Sequence, residues 1–490
     1  MPYFRYRRPT PMVAVLVASL FPCSSMATAA TGQAPDSESS VASPPNPAPA
    51  AVAESSDLVP DTPSSAATPP APAVAAESVS DKMTRLAAYS PKGWNIRMPE
   101  PAGTIDPDPF NFRSKLADNG FGWFGWTNNS VSYDFHNHGR SPLPQVYNGQ
   151  KATWYSVNFF YLTYDLSRVG LNGGQLVAST SFIRVNWEPI GPSQRFRVGV
   201  LEWYQPLFDG RVELNIGYLS NSFNYTGTNV GGNIAGGTFG VSASIPTQTG
   251  MSSTLATRPG VNVKTYLGGG FYNQVGVQRS LDPAGLVTEV TQTNTGAGLG
   301  WGGADTGLLY LEEFGLRRNG GPGQRDIWLR AGYTYNTSDF ESLSAPGTRA
   351  HNYMFTLLGD YQVYQVGDSA RGIYAGFSIM HSPASVNRFT DYYEARLYAK
   401  GLFSSRPADM ISFIVNQNRF SKYAIQDAVL AGRTLTVDKT TTVSLGYTAK
   451  VYSGVYVTAG VSYVDHPRPI STIPSQKSAI TGSTSLLVYF

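Results

Sequence analysis

The residues best placed to do chemistry are a few charges and amides scattered through segments that otherwise alternate apolar with polar. Arg184, Arg211, Glu213, Asn215 and Arg330 occupy polar positions of such runs. Asn224, Tyr225, Asn229, Asn233, Phe239 and Gln248 fall in one long Gly/Asn/Ser/Thr-rich stretch between about Asn221 and Arg258. Amides bond hydroxyl groups, a few facing charges orient them, and aromatic faces meet flat apolar surfaces, so the set suits contact with a polar solute. The stretch has two readings: bent inward it forms a constriction, and lying across a mouth it is ordinary loop surface. For each wall residue the plainer alternative is a polar group satisfied by water or a neighbour.

Bond-making chemistry has little support. His136 and His138 can share one side of a strand, but a metal needs further ligands and only His351, His381 and His466 remain. The glycines at 296, 298 and 300 do not follow a βαβ pattern, and no G-x-S-x-G elbow is present. The expectation is therefore no catalytic residue, no metal and no cofactor.

The elements that carry these residues are strands. Val443, Leu445, Tyr447, Ala449 and Val451 alternate with Ser444, Gly446, Thr448 and Lys450, and after Tyr452-Ser453-Gly454 the pattern resumes through Tyr463, which makes a hairpin. The same grammar runs through Val212–Tyr218, Ile327–Thr334 and Ile373–Met380. Charged residues make up only 14% of the chain against 12% aromatics, short turns alternate with long Gly/Asn/Thr loops, and the net charge is +3 with no basic run in the folded part. That balance argues against a nucleic-acid surface and against a soluble sandwich.

At the N-terminus, Arg5, Arg7 and Arg8 precede an apolar run from Met12 to Phe21 and an Ala27-Thr28-Ala29 cleavage site, so residues 1–29 read as a secretory signal peptide. Residues 30–90 are rich in Pro, Ala and Ser and read as a disordered periplasmic tail, with a short helix at the spacing of Val79, Met83 and Leu86. Cys23 is the only cysteine, so disulfides are not expected.

Residues 91–490 are expected to form an all-β, transmembrane antiparallel β-barrel. Hydrocarbon offers no hydrogen-bond partner, so a sheet crosses a bilayer only when it closes, and with apolar residues facing lipid the charged ones face a wet lumen. From Phe110 about 380 residues remain, and at roughly 22 to 25 residues per strand this gives 16 strands, with 18 as the alternative. Phe490 ends a strand on the face of Ile480, Gly482, Thr484, Leu486 and Val488, like the assembly signal read by the barrel-assembly machinery of Gram-negative outer membranes.

Several segments resemble the carbohydrate-selective outer-membrane porin family of the OprB type: Trp203–Leu219, with its Gln-Pro-Leu-Phe-Asp-Gly core; Leu255–Lys264; Leu281–Gly285; Gly401–Ser421; Val443–Phe490; and FRSKLADNGFG from Phe112. A Gly-Asp-Trp-Gly-Gly stretch expected ahead of Phe112 is missing. The resemblance implies passive passage of sugars or other small hydrophilic solutes through a 16-strand outer-membrane pore, with a loop folded into the lumen and outer-membrane lipids around it, as a homotrimer or monomer. A hydrolase on a barrel scaffold and a non-transporting or export-associated envelope barrel are the alternatives.

Overall fold

The computed structural model describes residues 77–95, 98–136, 144–188, 194–227, 244–303, 305–433, 435–471 and 476–490. Sixteen strands are present: β1 (Phe121–Asp134), β2 (Thr153–Asp165), β3 (Gln175–Val185), β4 (Gln194–Leu207), β5 (Val212–Leu219), β6 (Arg258–Gly268), β7 (Phe271–Arg279), β8 (Leu308–Arg318), β9 (Ile327–Glu341), β10 (Arg349–Gln365), β11 (Gly372–His381), β12 (Phe389–Lys400), β13 (Met410–Phe420), β14 (Lys439–Tyr452), β15 (Val455–Asp465) and β16 (Ser478–Tyr489). Each pairs antiparallel with its chain neighbours, and β1 pairs with β16 from Trp126↔Tyr489 to Asp134↔Thr481, which closes the barrel. Phe490 finishes the seam: its amide and carbonyl exchange hydrogen bonds with Gly125 at 2.9 and 2.7 Å, and its ring lies 5.8 Å from Trp123 and 5.6 Å from Phe160. No strand edge is left to pair with another chain.

Both termini of the barrel lie at one end. Connections there are short, as at 208–211, 269–270 and 453–454, whereas the opposite end carries the long connections 220–257, 280–307 and 421–438. Over β9 to β15 the two faces follow the expected rule. Leu329, Tyr333, Phe355, Leu357, Leu397, Phe413, Leu445 and Val461 are exposed on the outside, while Arg330, Asp360, Arg396, Asn416, Ser444 and Ser462 are buried on the inside.

Strands β1 to β3 follow it only in part: Val131, Trp154, Phe160, Leu162 and Leu176 are exposed outside and Ser130, Ser132, Thr163, Ser179 and Ser181 are buried inside, but apolar side chains fill the remaining inward positions. Phe124, Trp126, Val157, Phe159, Tyr161, Val177 and Ile183 point inward into one apolar cluster with Met98 and, at its margin, Trp94. Thr127, Asn129, Ser156, Asn158 and Thr180 occupy the outward positions. One further exception is Glu312, exposed on the outside of β8 between Tyr310 and Phe314.

The chain ahead of β1 explains the inward aromatics. Helix α1 (Val79–Ala87) starts where Ser78 accepts the Asp81 amide, and helix α2 (Phe112–Asp118) leads into β1. Lys82 pairs with Asp108 at 2.7 Å and Arg85 with Asp118 at 3.1 Å, fastening α1 beside α2. Buried Arg113 donates to the carbonyls of Asp106 and Pro107, both at 2.6 Å, and to that of Trp123 at 3.1 Å. Thr163 donates to the Tyr89 carbonyl at 2.6 Å and Gln175 accepts the Lys92 amide at 3.0 Å, so the chain after α1 enters the barrel. Contacts on both sides of residue 90, at Tyr89 and at Lys92, thus reach the barrel wall. Where the Gly-Asp-Trp-Gly-Gly stretch is missing, Pro107-Asp108-Pro109-Phe110-Asn111 stands, and Phe110 and Asn111 hold φ of 53° and 56°, a region that glycine enters freely.

Candidate functional site in the barrel interior

The N-terminal segment and the long loop meet inside the barrel at Asn95. Its side chain accepts from Lys264 on β6 at 2.6 Å, and its backbone carbonyl accepts from Arg317 on β8 at 2.7 Å. Its amide nitrogen donates to Gln274 on β7 at 3.3 Å and to the carbonyl of Asn224 in the loop. Next to it, Trp94 donates to Glu202 on β4 at 2.7 Å and packs edge-on against Tyr161 at 5.6 Å.

Cations and ring faces surround this junction. The Lys264 ammonium lies 4.5 Å from the Tyr272 ring, and the guanidinium groups of Arg317 and Arg330 lie 4.4 and 3.7 Å from the centre of the Trp328 ring. Trp328 donates to the Tyr272 hydroxyl at 3.1 Å, which donates to Glu313 at 2.7 Å, and Glu313 stands 3.8 Å from Arg330. Ring faces attract cations, so the rings hold the basic side chains in place alongside one carboxylate.

The described parts of the long loop, 220–227 and 244–257, are held by amides on successive inner walls. Asn262 on β6 donates to Asn221 at 2.6 Å, Asn221 donates to Gln278 on β7 at 2.7 Å, Asn336 on β9 donates to the Thr249 carbonyl at 2.7 Å, and Asn352 on β10 donates to the Gln248 carbonyl at 3.2 Å. Gln248 accepts the amides of Arg388 and Phe389 at 3.0 and 3.1 Å. Arg330 donates to the Gly227 carbonyl. Tyr225, Ile245 and Met251 pack on inward Leu309, Leu311, Met354, Leu358 and Met380, so an apolar seat inside the wall receives the loop. The Tyr225 hydroxyl donates to Asn262 at 3.3 Å, and burial, reinforced by the charge of Glu313, raises the phenol well above its usual pKa.

Across the interior, Arg396 on β12 is gripped by Asp360 on β10 at 2.8 Å and by Glu394 at 2.5 Å, and it donates to Ser378 on β11 at 2.7 Å. Such a fully paired guanidinium is a fixed post with its forks spoken for.

The sequence-derived wall residues divide. Glu213, Asn215 and Arg330 face inward: Glu213 accepts the hydroxyls of Tyr204 and Tyr266, each at 3.0 Å, and Asn215 lies 3.5 Å from Glu202. Arg211 is instead exposed in the turn between β4 and β5, where the strand has not yet begun. Arg184 points outward from the end of β3, 5.3 Å from the Phe182 ring, because it falls on the same side of the strand as Leu176, Thr180 and Phe182. Asn224, Tyr225 and Gln248 meet the inner wall as described, while Asn229, Asn233 and Phe239 lie outside the described residues, as does His138.

Alternation alone reaches Trp328 and Glu313 as inward positions, yet nothing local distinguishes them from their neighbours. Trp94 and Asn95 were missed because the segment SPKGWN carries no strand period. Their signal is the aromatic Trp94 directly after a Pro-rich stretch almost free of aromatics. Lys264, Arg317, Asp360 and Arg396 were missed because they act in partnerships that only the closed barrel assembles.

A closed sixteen-stranded antiparallel barrel with polar inner walls and an inward-held long loop defines an outer-membrane porin. The match to the carbohydrate-selective porin, OprB family, spans residues 127–476, and the chain belongs to that family of diffusion channels. Among solved structures, the high-pH structure of Pseudomonas putida OprB superposes with a TM-score of 0.66 at 17% identity, covering 79% of this chain and 99% of that one. A mutant of the Rh. blastica porin gives a TM-score of 0.42 at 9% identity, covering 76% and 100%. No curated protein matches the chain.

Proposed function

We propose that the chain passes sugars by diffusion into the periplasm through a constriction shared by the long loop and the N-terminal segment. The observation that carries this reading is the junction at Asn95. There a loop from the long-connection end and a segment from the terminal end are joined by a hydrogen bond from Asn95 to the Asn224 carbonyl, beside Lys264, Arg317 and Arg330 and the faces of Tyr272 and Trp328. A sugar passing such a point exchanges water for amide and guanidinium donors through its hydroxyls. Tyr272 and Trp328, themselves buried, hold the basic side chains at that point, and no single contact is strong enough to trap the sugar.

The terminal end faces the periplasm in this reading, with the Pro/Ala/Ser-rich tail as a spacer, and the barrel is inserted by the barrel-assembly machinery acting on the Phe490 strand. Glu213 and Asn215 line the path below the junction. Liposome swelling tests the proposal. Vesicles carrying the protein should swell rapidly in monosaccharides, more slowly in disaccharides, and with a reduced sugar preference after Trp328→Ala. Swelling no faster than that of protein-free vesicles contradicts it.

A further inference from the structure

We infer that a phosphorylated glycolipid of the outer leaflet docks through its phosphate on one arc of the barrel rim, at Arg419 and Lys439. The inference rests on the reading of the barrel as an outer-membrane pore whose long-connection end faces away from the periplasm. In the strand registers His381 stands opposite Asp391, Asp391 opposite Arg419 and Arg419 opposite Lys439, so the four side chains form one row across β11 to β14. The row lies at the long-connection end and on the outside of the wall, since Arg419 shares its face with exposed Phe413 and Lys439 shares its face with exposed Leu445.

The tyrosines beneath set its depth. Tyr393, two residues along β12 from Asp391, and Tyr463 on β15 are exposed outward at the edge of the apolar band, where aromatic rings mark the boundary between tails and headgroups. Two residues span about 7 Å of strand, which carries the row from that edge into the headgroup layer.

The cations of the row are uncommitted. The Asp391 carboxylate is engaged by His381 Nδ1 and accepts the Thr390 hydroxyl, both at 2.8 Å. Arg419 and Lys439 are exposed, and among the described residues neither has an ion-pair partner. From Arg419 to Lys439 the chain carries four basic residues against two acidic ones, with Lys422 and Arg433 exposed in the connection between the strands. The rim is different at β9, where Asp339 and Glu341 face outward and Arg349 pairs with Asp305.

A guanidinium fork and an ammonium on adjacent strands stand close enough to share one phosphate. A glycolipid also brings acyl chains, which lie along Phe413, Leu445 and Tyr463 directly below the row. Free phosphate uses only the first of these contacts.

Native mass spectrometry of the full chain in mild detergent tests the site with three probes: bisphosphorylated lipid A, the same lipid A stripped of its phosphates, and phosphatidylglycerol. The wild-type protein should hold the bisphosphorylated lipid more tightly than either of the others. Arg419→Gln and Lys439→Gln should each weaken that binding about fivefold, and together about twentyfold. Lys115→Gln, which removes an exposed charge at the opposite end of the barrel, should leave it unchanged. Heat-modifiable migration of the variants checks that they still fold. Equal binding of dephosphorylated lipid A, equal binding of phosphatidylglycerol, or binding unchanged in the double variant overturns the inference. A folded double variant that conducts like the wild type and binds lipid A as tightly removes only the docking site, whereas a wild-type chain that gives no current removes the pore reading as well.

Discussion

The arc from β9 to β15 and the arc from β1 to β3 use one backbone plan, but the second turns part of its apolar set inward and part of its polar set outward. In the first, Leu357, Leu397 and Leu445 face out while Asp360, Arg396 and Ser444 face in. In the second, Trp126, Phe159 and Ile183 face in while Asn129, Ser156 and Asn158 face out. The period of two is the same, since alternation belongs to the pleat; what it carries is set by what each face meets. β9 to β15 face bilayer outside and wet interior inside, whereas β1 to β3 face an apolar insert inside, formed by Trp94, Met98 and the loop residues Leu255, Leu281 and Leu286.

The sharpest way to break the comparison is to exchange the inner chemistry of the first arc. Arg396→Ala leaves Asp360 and Glu394 without their shared cation and is expected to cost about 3–5 kcal/mol. Urea unfolding in detergent measures it, and an effect under 1 kcal/mol would mean that the posts are not structural. In the second arc the equivalent change is Trp126→Ala, which removes a fully buried inward ring and should cost about 3–5 kcal/mol or somewhat less where the insert relaxes into the space. The same substitution at exposed Phe413, outside the first arc, should cost less, and equal losses would show that the arcs do not differ.

Smaller effects probe the insert itself. Burial opposes ionisation of Asp108, but its bonds from Lys82 and Ser114 outweigh that and hold its pKa below the usual value. A carboxylate depressed on folding contributes stability above its unfolded pKa, about 3.9, and loses it as pH falls through the folded value. Hydrogen exchange of α1 should therefore quicken below that range in the wild-type protein, while Asp108→Asn should exchange quickly at every pH. The smallest effect expected is a gain: Phe110→Gly relieves a positive φ at an exposed residue and should stabilise the segment by about 1 kcal/mol, read from the same exchange profile.

The architecture was largely legible in the sequence. Val443–Val451, Ile327–Thr334 and Ile373–Met380 carry the lipid-facing period that a membrane barrel requires, and the strand number follows from the length per hairpin. Arg330 was legible for the same reason. Arg184 was misassigned because period two gives two faces and not which is inside, and in β3 the neighbours that decide it, Trp94 and Met98, come from a segment without strand character. Arg211 was misassigned by one step, since the turn at Asp209-Gly210 continues through it. The hold of Asn262, Gln278, Asn336 and Asn352 on the loop was hidden because each is an ordinary inward amide until the loop arrives.

Single-channel recording in a planar bilayer tests the pore most directly. The full chain should give steady current steps that a hexose lowers in a saturable way, with the block weakened by Trp328→Ala. Absence of steps, or steps unchanged at every hexose concentration, would contradict a sugar-conducting interior.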